Sequence, residues 1–167
     1  QLSTMMFFQF FIWGGWWVTL GTFLSKNLNA SGIEISAAFS TQSWGAVIAP
    51  LFIGLIADKF FNAERILGVL HILGGLFLYL MTNVSDFQSF YPYILVYMII
   101  YMPTLALVNS VAFYQMRDTA KDFSSIRVFG SIGWIIAGLM ISYLFKWDSI
   151  ESIEAVSYTH LTLPTNR

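Results

Sequence analysis

The chain has 167 residues, of which 57% are hydrophobic, 18% aromatic and only 10% charged, and its mean hydropathy is +0.68. A soluble domain carries about 25% charged residues and has too small an interior to bury this much apolar surface, so we expect a lipid bilayer around the protein. The net charge of −1 gives no basic surface for nucleic acid, and the absence of cysteine excludes disulfides, thiolate metal sites and cysteine nucleophiles.

Five segments are long and apolar enough to cross a bilayer as helices, which takes about 20 mostly apolar residues. In chain order they run over about 5–24, 37–57, 66–81, 91–116 and 126–145. None shows the alternation of apolar and polar residues that marks the strands of a membrane barrel. The fourth contains Pro103, which we interpret as a kink, because neighbouring helices can satisfy the freed carbonyl. The predicted fold is an all-α membrane bundle.

The distribution of basic residues predicts the orientation of the chain. Five of them concentrate around the links after the second and fourth segments: Lys59, Arg65, Arg117, Lys121 and Arg127. Lys26 and Lys146 lie in the links on the other side. Short loops rich in Lys and Arg stay in the cytoplasm. We therefore expect a cytoplasmic N-terminus, with the far end of the fifth segment outside.

The two ends of the chain differ from the rest. The first residue is Gln1 rather than Met, so we expect the chain to begin inside or just after a true N-terminus. The first apolar run lacks the basic flank and the cleavage site that are typical of a signal peptide. Residues 156–167 are polar, rich in Thr and similar to translated adaptor sequence. We interpret them as a non-native tail, with an ordinary polar loop as the alternative.

The link after the second segment carries a pattern that is typical of a gate. Gly54 and Asp58 are one helical turn apart, and Lys59 follows directly. Glycine lets another backbone approach closely, and a carboxylate at the membrane edge is costly unless it is paired. We predict that Asp58 holds a neighbouring helix end or an arginine in one state of the gate. The alternative is a simple anchor at the membrane edge.

The fifth segment has two distinct helical faces. One face carries a cation, a hydroxyl and an indole at i, i+4 and i+7: Arg127, Ser131 and Trp134. The other face carries small residues for close packing on a neighbouring helix: Gly130, Gly133 and Ala137. The first face suits a polar, ring-shaped ligand, with the indole for stacking and the other two groups for hydrogen bonds. Alternatively, Arg127 reaches the lipid headgroups and Trp134 only packs.

Polar and aromatic side chains also pair in the first and fourth segments. Gln9 and Trp13 share a helix face, and an amide in a long apolar run needs a partner, which favours the bundle interior. Trp13 either lines a ligand cavity or belongs to the belt of aromatic residues at the membrane–water interface. Asn109 lies about one turn from Phe113 and either binds ligand or only joins helices. We expect His71 to be structural.

The sequence lacks the motifs that carry chemistry on a substrate. It contains no P-loop, zinc-ligand spacing, nucleophile elbow or close pair of carboxylates. We therefore expect no enzyme activity and no cofactor. Apart from Asp58 at an edge, the apolar segments contain no carboxylate, although a proton relay normally needs one. Any proton-coupling acid is expected outside this chain.

Several motifs resemble those of known transporters. Gly54-x-x-x-Asp58-Lys59 resembles the signature loop of the major facilitator superfamily, although Phe61 stands where that signature usually has Gly, and Arg65 alone remains of its basic pair. Three further stretches resemble the nucleoside:proton symporter family of that superfamily: Gln9-Phe-Phe-Ile-Trp13-Gly14, Tyr101-Met-Pro103-Thr104-Leu-Ala-Leu-Val-Asn109 and Arg127-Val-Phe-Gly130-Ser131-Ile-Gly133-Trp134. Sugar symporters carry a motif similar to the last one, whereas the second favours nucleosides.

The resemblance implies a transporter of twelve helices in two six-helix halves, with the substrate between the halves near the midplane. It implies proton-coupled nucleoside import by alternating access in the inner (cytoplasmic) membrane, driven by the proton gradient. Arg127 and Ser131 would contact the nucleoside, with Ser131 standing where the family usually has Thr. The predicted gating residues belong to the signature loop: Gly54, Asp58, Lys59 and Arg65.

The resemblance also implies what is missing. Residues 1–155 would form about five-twelfths of such a transporter, and the coupling acids would lie in the C-terminal half. The expected partners are therefore the nucleoside, the bilayer and that second half. A sugar or oligosaccharide symporter of the same superfamily is one alternative, and a membrane scaffold that transports nothing is another.

Overall fold

The computed structural model describes residues 1–57 and 63–145, and the secondary structure of these residues is entirely helical. The helices, in chain order, are α1 (Leu2–Trp17), α2 (Leu20–Asn27), α3 (Gly32–Ala57), α4 (Ala63–Met81), α5 (Phe87–Gln115) and α6 (Thr119–Leu139), which continues as a π-helical segment over Met140–Phe145. This architecture confirms the predicted all-α bundle. Residues 146–167, including the predicted tail, lie outside the described residues.

Within the described parts of the chain, three helices are long and apolar enough to cross a membrane: Ala63–Met81, Phe87–Gln115 and Lys121–Tyr143. Large apolar side chains remain exposed on the outer faces of α4 and α6, among them Val69, Ile72, Leu76, Ile135 and Leu139. Such a surface is costly in water and suits lipid. The division into five spans stays a prediction.

The first predicted segment is covered by two helices instead of one. The regular helix is interrupted at Val18 and Thr19, where the Thr19 hydroxyl donates a hydrogen bond to the Trp16 carbonyl at 3.1 Å. A hydroxyl that bonds a nearby carbonyl competes with the backbone ladder. Both residues keep right-handed helical backbone angles, so α2 continues α1 after a local distortion of the helix.

Helix α5 is longer than the sequence predicts. It begins at Phe87 because the Asp86 carboxylate accepts a hydrogen bond from the Ser89 backbone N–H at 2.8 Å, which caps the first turn. That hydrogen bond also lowers the pKa of Asp86 below its ordinary value. Pro92 therefore falls inside the helix together with Pro103, which is buried.

The helices pack as a pair and a triplet. Helix α1 packs mainly against α6, while α3 and α4 pack on either side of α5. The main core lies where the aromatic residues of α1, α2 and α5 meet: Trp16, Phe23, Phe90, Tyr97 and Tyr101 are all almost completely buried. A glycine brings the backbones of α3 and α5 together, since a Cβ atom on Gly45 of α3 would lie 2.5 Å from the Met98 carbonyl oxygen of α5.

Candidate functional site

The contact between α1 and α6 rests on small residues. A Cβ atom on Gly133 would overlap the carbonyl oxygen of Phe7, and one on Gly130 would lie 2.7 Å from the Phe10 ring. From the other side, a Cβ atom on Gly14 would lie 2.9 Å from the Trp134 carbonyl oxygen. These distances confirm the prediction that this face of α6 packs tightly on a neighbouring helix, and they identify that helix as α1.

Arg127 lies at one edge of this contact. Its guanidinium carbon is 4.1 Å from the centroid of the Phe10 ring, and the side chain is half-buried. Stacking on an aromatic face stabilises the cation without consuming its N–H donors. No carboxylate of the described residues forms an ion pair with Arg127. Ser131, one turn further along α6, is exposed, so its hydroxyl is accessible from outside the described helices.

Two indoles meet further along the same contact between α1 and α6, and Phe10 connects them to Arg127, because its ring centroid is 6.2 Å from that of Trp13. The rings of Trp13 and Trp134 meet edge to face, with their centroids 5.1 Å apart, and Trp13 is also 6.1 Å from the ring of Tyr101. The Nε1 atom of Trp13 is buried and, among the described residues, has no hydrogen-bond partner. A buried donor without a partner is costly. It therefore marks a position where an acceptor from elsewhere would be stabilised.

Gln9 forms its side-chain hydrogen bonds with α4 and α5 and not with α6. Its side chain is 2% exposed, and both ends of its amide are bonded within the protein, to Thr104 of α5 and to His71 of α4. Burial in the bundle interior is what the sequence predicts for this amide. The structure thus sets Trp13 against Trp134, connects Arg127 to them through Phe10, and places Gln9 in a neighbouring polar cluster.

The remaining predicted site residues are further apart. Asn109 is half-buried on α5, and its Oδ1 atom is buried without a partner among the residues that the structure describes. Gly54 belongs to the C-terminal part of α3, and Arg65 is exposed in the first turn of α4. Asp58, Lys59 and Phe61 lie outside the described residues, so the predicted gate stays a prediction.

Sequence reasoning did not identify the polar partners of Gln9. The sequence predicts a structural role for His71, and it identifies Thr104 and Tyr101 only as members of a motif that resembles nucleoside symporters. A usable signal was present, because a lone amide in an apolar helix calls for polar groups on neighbouring helices. The sequence alone does not show which helices are neighbours.

The chain is similar to transporters throughout its length. The family model described as nucleoside H+ symporter matches residues 1–164. Among relatives from Escherichia coli (strain K12), YegT is 42% identical over 144 residues, nucleoside permease NupG is 34% identical over 146, and xanthosine permease is 36% identical over 148. These matches cover 85–86% of this chain and 34–35% of the relatives, so the chain spans about a third of their length.

The fold is shared with a solved transporter. Two crystal structures of nucleoside transporter NupG match with a TM-score of 0.93 and 30% and 31% sequence identity, covering 98% of this chain and 42% of the NupG chain. Together with the three apolar helices, this similarity shows an all-α bundle of a multi-pass membrane protein.

Proposed function

We propose that this chain, which belongs to the nucleoside H+ symporter family, forms part of the first half of a proton-coupled nucleoside importer in the inner (cytoplasmic) membrane. The observation that carries the proposal is the α1–α6 edge, where an arginine without an ion-pair partner among the described residues stacks on Phe10, next to a pair of indoles and an exposed hydroxyl. The named relatives support it, since NupG is a nucleoside permease and another relative is a xanthosine permease.

The chemistry of this edge matches the chemistry of a nucleoside. A nucleobase is a flat ring that stacks on an indole, and Trp13 and Trp134 offer such surfaces. The ribose and the base carbonyls present hydrogen-bond acceptors and hydroxyls. The N–H groups of Arg127 can donate to them, while the Ser131 hydroxyl can donate or accept.

The positions of the carboxylates argue against a role in proton coupling for the described helices. In the described helices, every carboxylate lies at an N-cap or in a first turn: Glu34, Glu64, Asp86, Asp118 and Asp122. None is placed to carry a proton through the interior of the bundle. In the proposed transporter, these helices bind the nucleoside, and the coupling acids belong to the second half, which closes over the site during alternating access.

A sugar symporter is the second candidate, and the site favours it less. Sugars also need an arginine and a stacking indole, so the α1–α6 edge alone does not separate the two substrate classes. The relatives whose names state a substrate are permeases for nucleosides and xanthosine. A scaffold that transports nothing would have no use for the unpartnered donor on Trp13 or for an exposed hydroxyl beside Arg127.

Uptake by cells that lack their own nucleoside transporters tests the proposal. The complete reading frame that contains this chain is expressed, and uptake of radiolabelled uridine is measured with and without a protonophore. We expect uptake that the protonophore abolishes and that unlabelled uridine blocks. Block by a disaccharide but not by uridine would favour the sugar symporter, and no uptake of either would favour the scaffold.

Arg127→Ala tests the site itself, with Arg117→Ala as the matched control in an exposed link. Removing hydrogen bonds from a charged donor costs about 1.5–3 kcal/mol, which corresponds to a roughly 10- to 150-fold loss of affinity. We expect Arg127→Ala to lose uptake at an unchanged amount of protein in the membrane and Arg117→Ala to retain it. Normal uptake by Arg127→Ala would remove Arg127 from the site.

A further inference from the structure

A closed hydrogen-bond network ties α1 to α4 and α5 directly behind the proposed site. The Gln9 side-chain nitrogen donates to the Thr104 hydroxyl at 2.7 Å, and its oxygen is 2.9 Å from Nε2 of His71. The Tyr101 hydroxyl donates to the Gln9 backbone carbonyl at 2.5 Å. All four side chains are buried. Gln9 therefore fixes one turn of α1 through hydrogen bonds of both its side chain and its backbone carbonyl.

The direction of each hydrogen bond follows from its neighbour. Because the Gln9 nitrogen donates to Thr104, the amide atom that faces His71 is the oxygen, which can only accept. His71 must then carry its hydrogen on Nε2 and donate it. The Thr104 hydroxyl accepts from Gln9 and donates its own hydrogen to the Tyr101 carbonyl at 2.6 Å. Removing one member of the network therefore takes away a hydrogen bond from a buried polar group.

The network acts on the residues that form the site. Phe10, which stacks on Arg127, directly follows Gln9 in α1, and Trp13 lies one helical turn further on. The Tyr101 ring also lies between the site and the network, because its centroid is 6.1 Å from that of Trp13 and 6.2 Å from that of His71. A shift or rotation of α1 at Gln9 would therefore move the Phe10 and Trp13 rings relative to α6.

We propose that His71, acting through Gln9, is a positioning residue for substrate: its Nε2–H donor holds α1 in the register that sets Phe10 and Trp13 against Arg127 and Trp134. This inference rests on the proposed nucleoside transport for its affinity measurement. It assigns to a buried polar residue of α4 a role in the affinity of the α1–α6 edge.

A pair of substitutions separates the donor from the ring. His71→Phe keeps an aromatic ring beside Tyr101 but has no donor, whereas His71→Gln replaces the ring with an amide whose N–H can reach the same oxygen. In the complete transporter we expect His71→Phe to raise the KM for uridine about tenfold, with the maximal rate per transporter molecule little changed. His71→Gln should restore most of the affinity. Ile72→Phe, on the exposed face of the same helix, is the control.

Gln9→Leu provides a second test through coupling. If His71 acts only through Gln9, the KM of the double variant Gln9→Leu/His71→Phe should be no higher than that of Gln9→Leu alone. Equal KM increases in His71→Phe and His71→Gln would overturn the proposal, because ring shape would then matter and not the donor. A loss of protein or of maximal rate at an unchanged KM would also overturn it, because that is the signature of a packing role.

A readout without nucleoside keeps this inference separate from the proposed function. Hydrogen exchange of the backbone amides of α1 is measured by mass spectrometry on the purified transporter. His71→Phe should speed exchange between Gln9 and Trp17, and His71→Gln should not. If wild-type transporter takes up no nucleoside, the proposed function fails while this measurement still tests the positioning of α1. Unchanged exchange in His71→Phe would refute the positioning itself.

Discussion

The tightest contact in the bundle gives the sharpest stability prediction. A methyl group on Gly133 would overlap the carbonyl oxygen of Phe7, a backbone atom that no side-chain rotation can move away. Gly133→Ala must therefore push α1 and α6 apart, and overpacking of this kind costs about 1–3 kcal/mol. Gly138, five residues further along α6, has no atom within 4 Å of the same position. Gly138→Ala should only gain helix propensity, worth up to about 1 kcal/mol.

The two variants make the same chemical change in the same helix, so their difference isolates the contact with α1. Thermal unfolding of the purified transporter in detergent, followed by fluorescence-detected size exclusion, measures that difference. We expect Gly133→Ala to unfold several degrees below wild type and Gly138→Ala to unfold at or above the wild-type temperature. Equal stability of the two variants would show that α1 and α6 do not approach as closely as the structure places them.

Three further predictions use the same measurement of thermal stability. Thr104→Val leaves the buried amide nitrogen of Gln9 without an acceptor and should lower the free energy of unfolding by about 1 kcal/mol, whereas Thr104→Ser should be close to wild type. Equal losses of stability in the two variants would show that the Thr104 methyl group matters for packing and its hydroxyl does not. Gly45→Ala should destabilise the contact between α3 and α5, because its methyl group would lie 2.5 Å from a carbonyl oxygen of α5, and wild-type stability would contradict that contact. Asp86→Ala should lower the unfolding temperature at pH 7. Because the Ser89 N–H lowers the pKa of Asp86 in the folded state, the carboxylate stabilises the fold above about pH 4, and the difference in unfolding temperature between wild type and Asp86→Ala should disappear as the pH falls further. A difference that persists at pH 2 would contradict the cap.

The internal organisation of single helices could be predicted from the sequence. The spacing of Gly130, Gly133 and Ala137 follows from helical geometry, and all three are buried in the structure. The same spacing put Arg127, Ser131 and Trp134 on one face. The three residues differ in exposure, since Trp134 packs against α1 while Ser131 remains exposed. Helical geometry gives the angle between side chains, but it does not show which of them a neighbouring helix covers.

Contacts between helices could not be predicted, because their partners are distant in the chain. Gln9 lies 62 residues from His71 and 95 residues from Thr104, and no local pattern joins them. Two details of the helices also differ from the predicted segments for local reasons. The hydroxyl of Thr19 interrupts the first segment, and the cap provided by Asp86 starts α5 earlier than hydropathy alone indicates.

The pairing of the first helix with the last described one has a consequence for how the protein is made. Ribosomes deliver the chain from its N-terminus, so α1 enters the membrane long before the partner that its glycine at position 14 fits. Until α6 emerges, the face of α1 around Phe7 and Gly14 has only lipid or a chaperone to contact, and the Gln9 amide nitrogen lacks its acceptor until α5 is synthesised. Helices α3 and α4, by contrast, meet α5 over shorter stretches of chain. Assembly should therefore begin with α3, α4 and α5 and end when α1 docks, which makes α1 the helix most exposed to degradation in a slowly translated or interrupted chain.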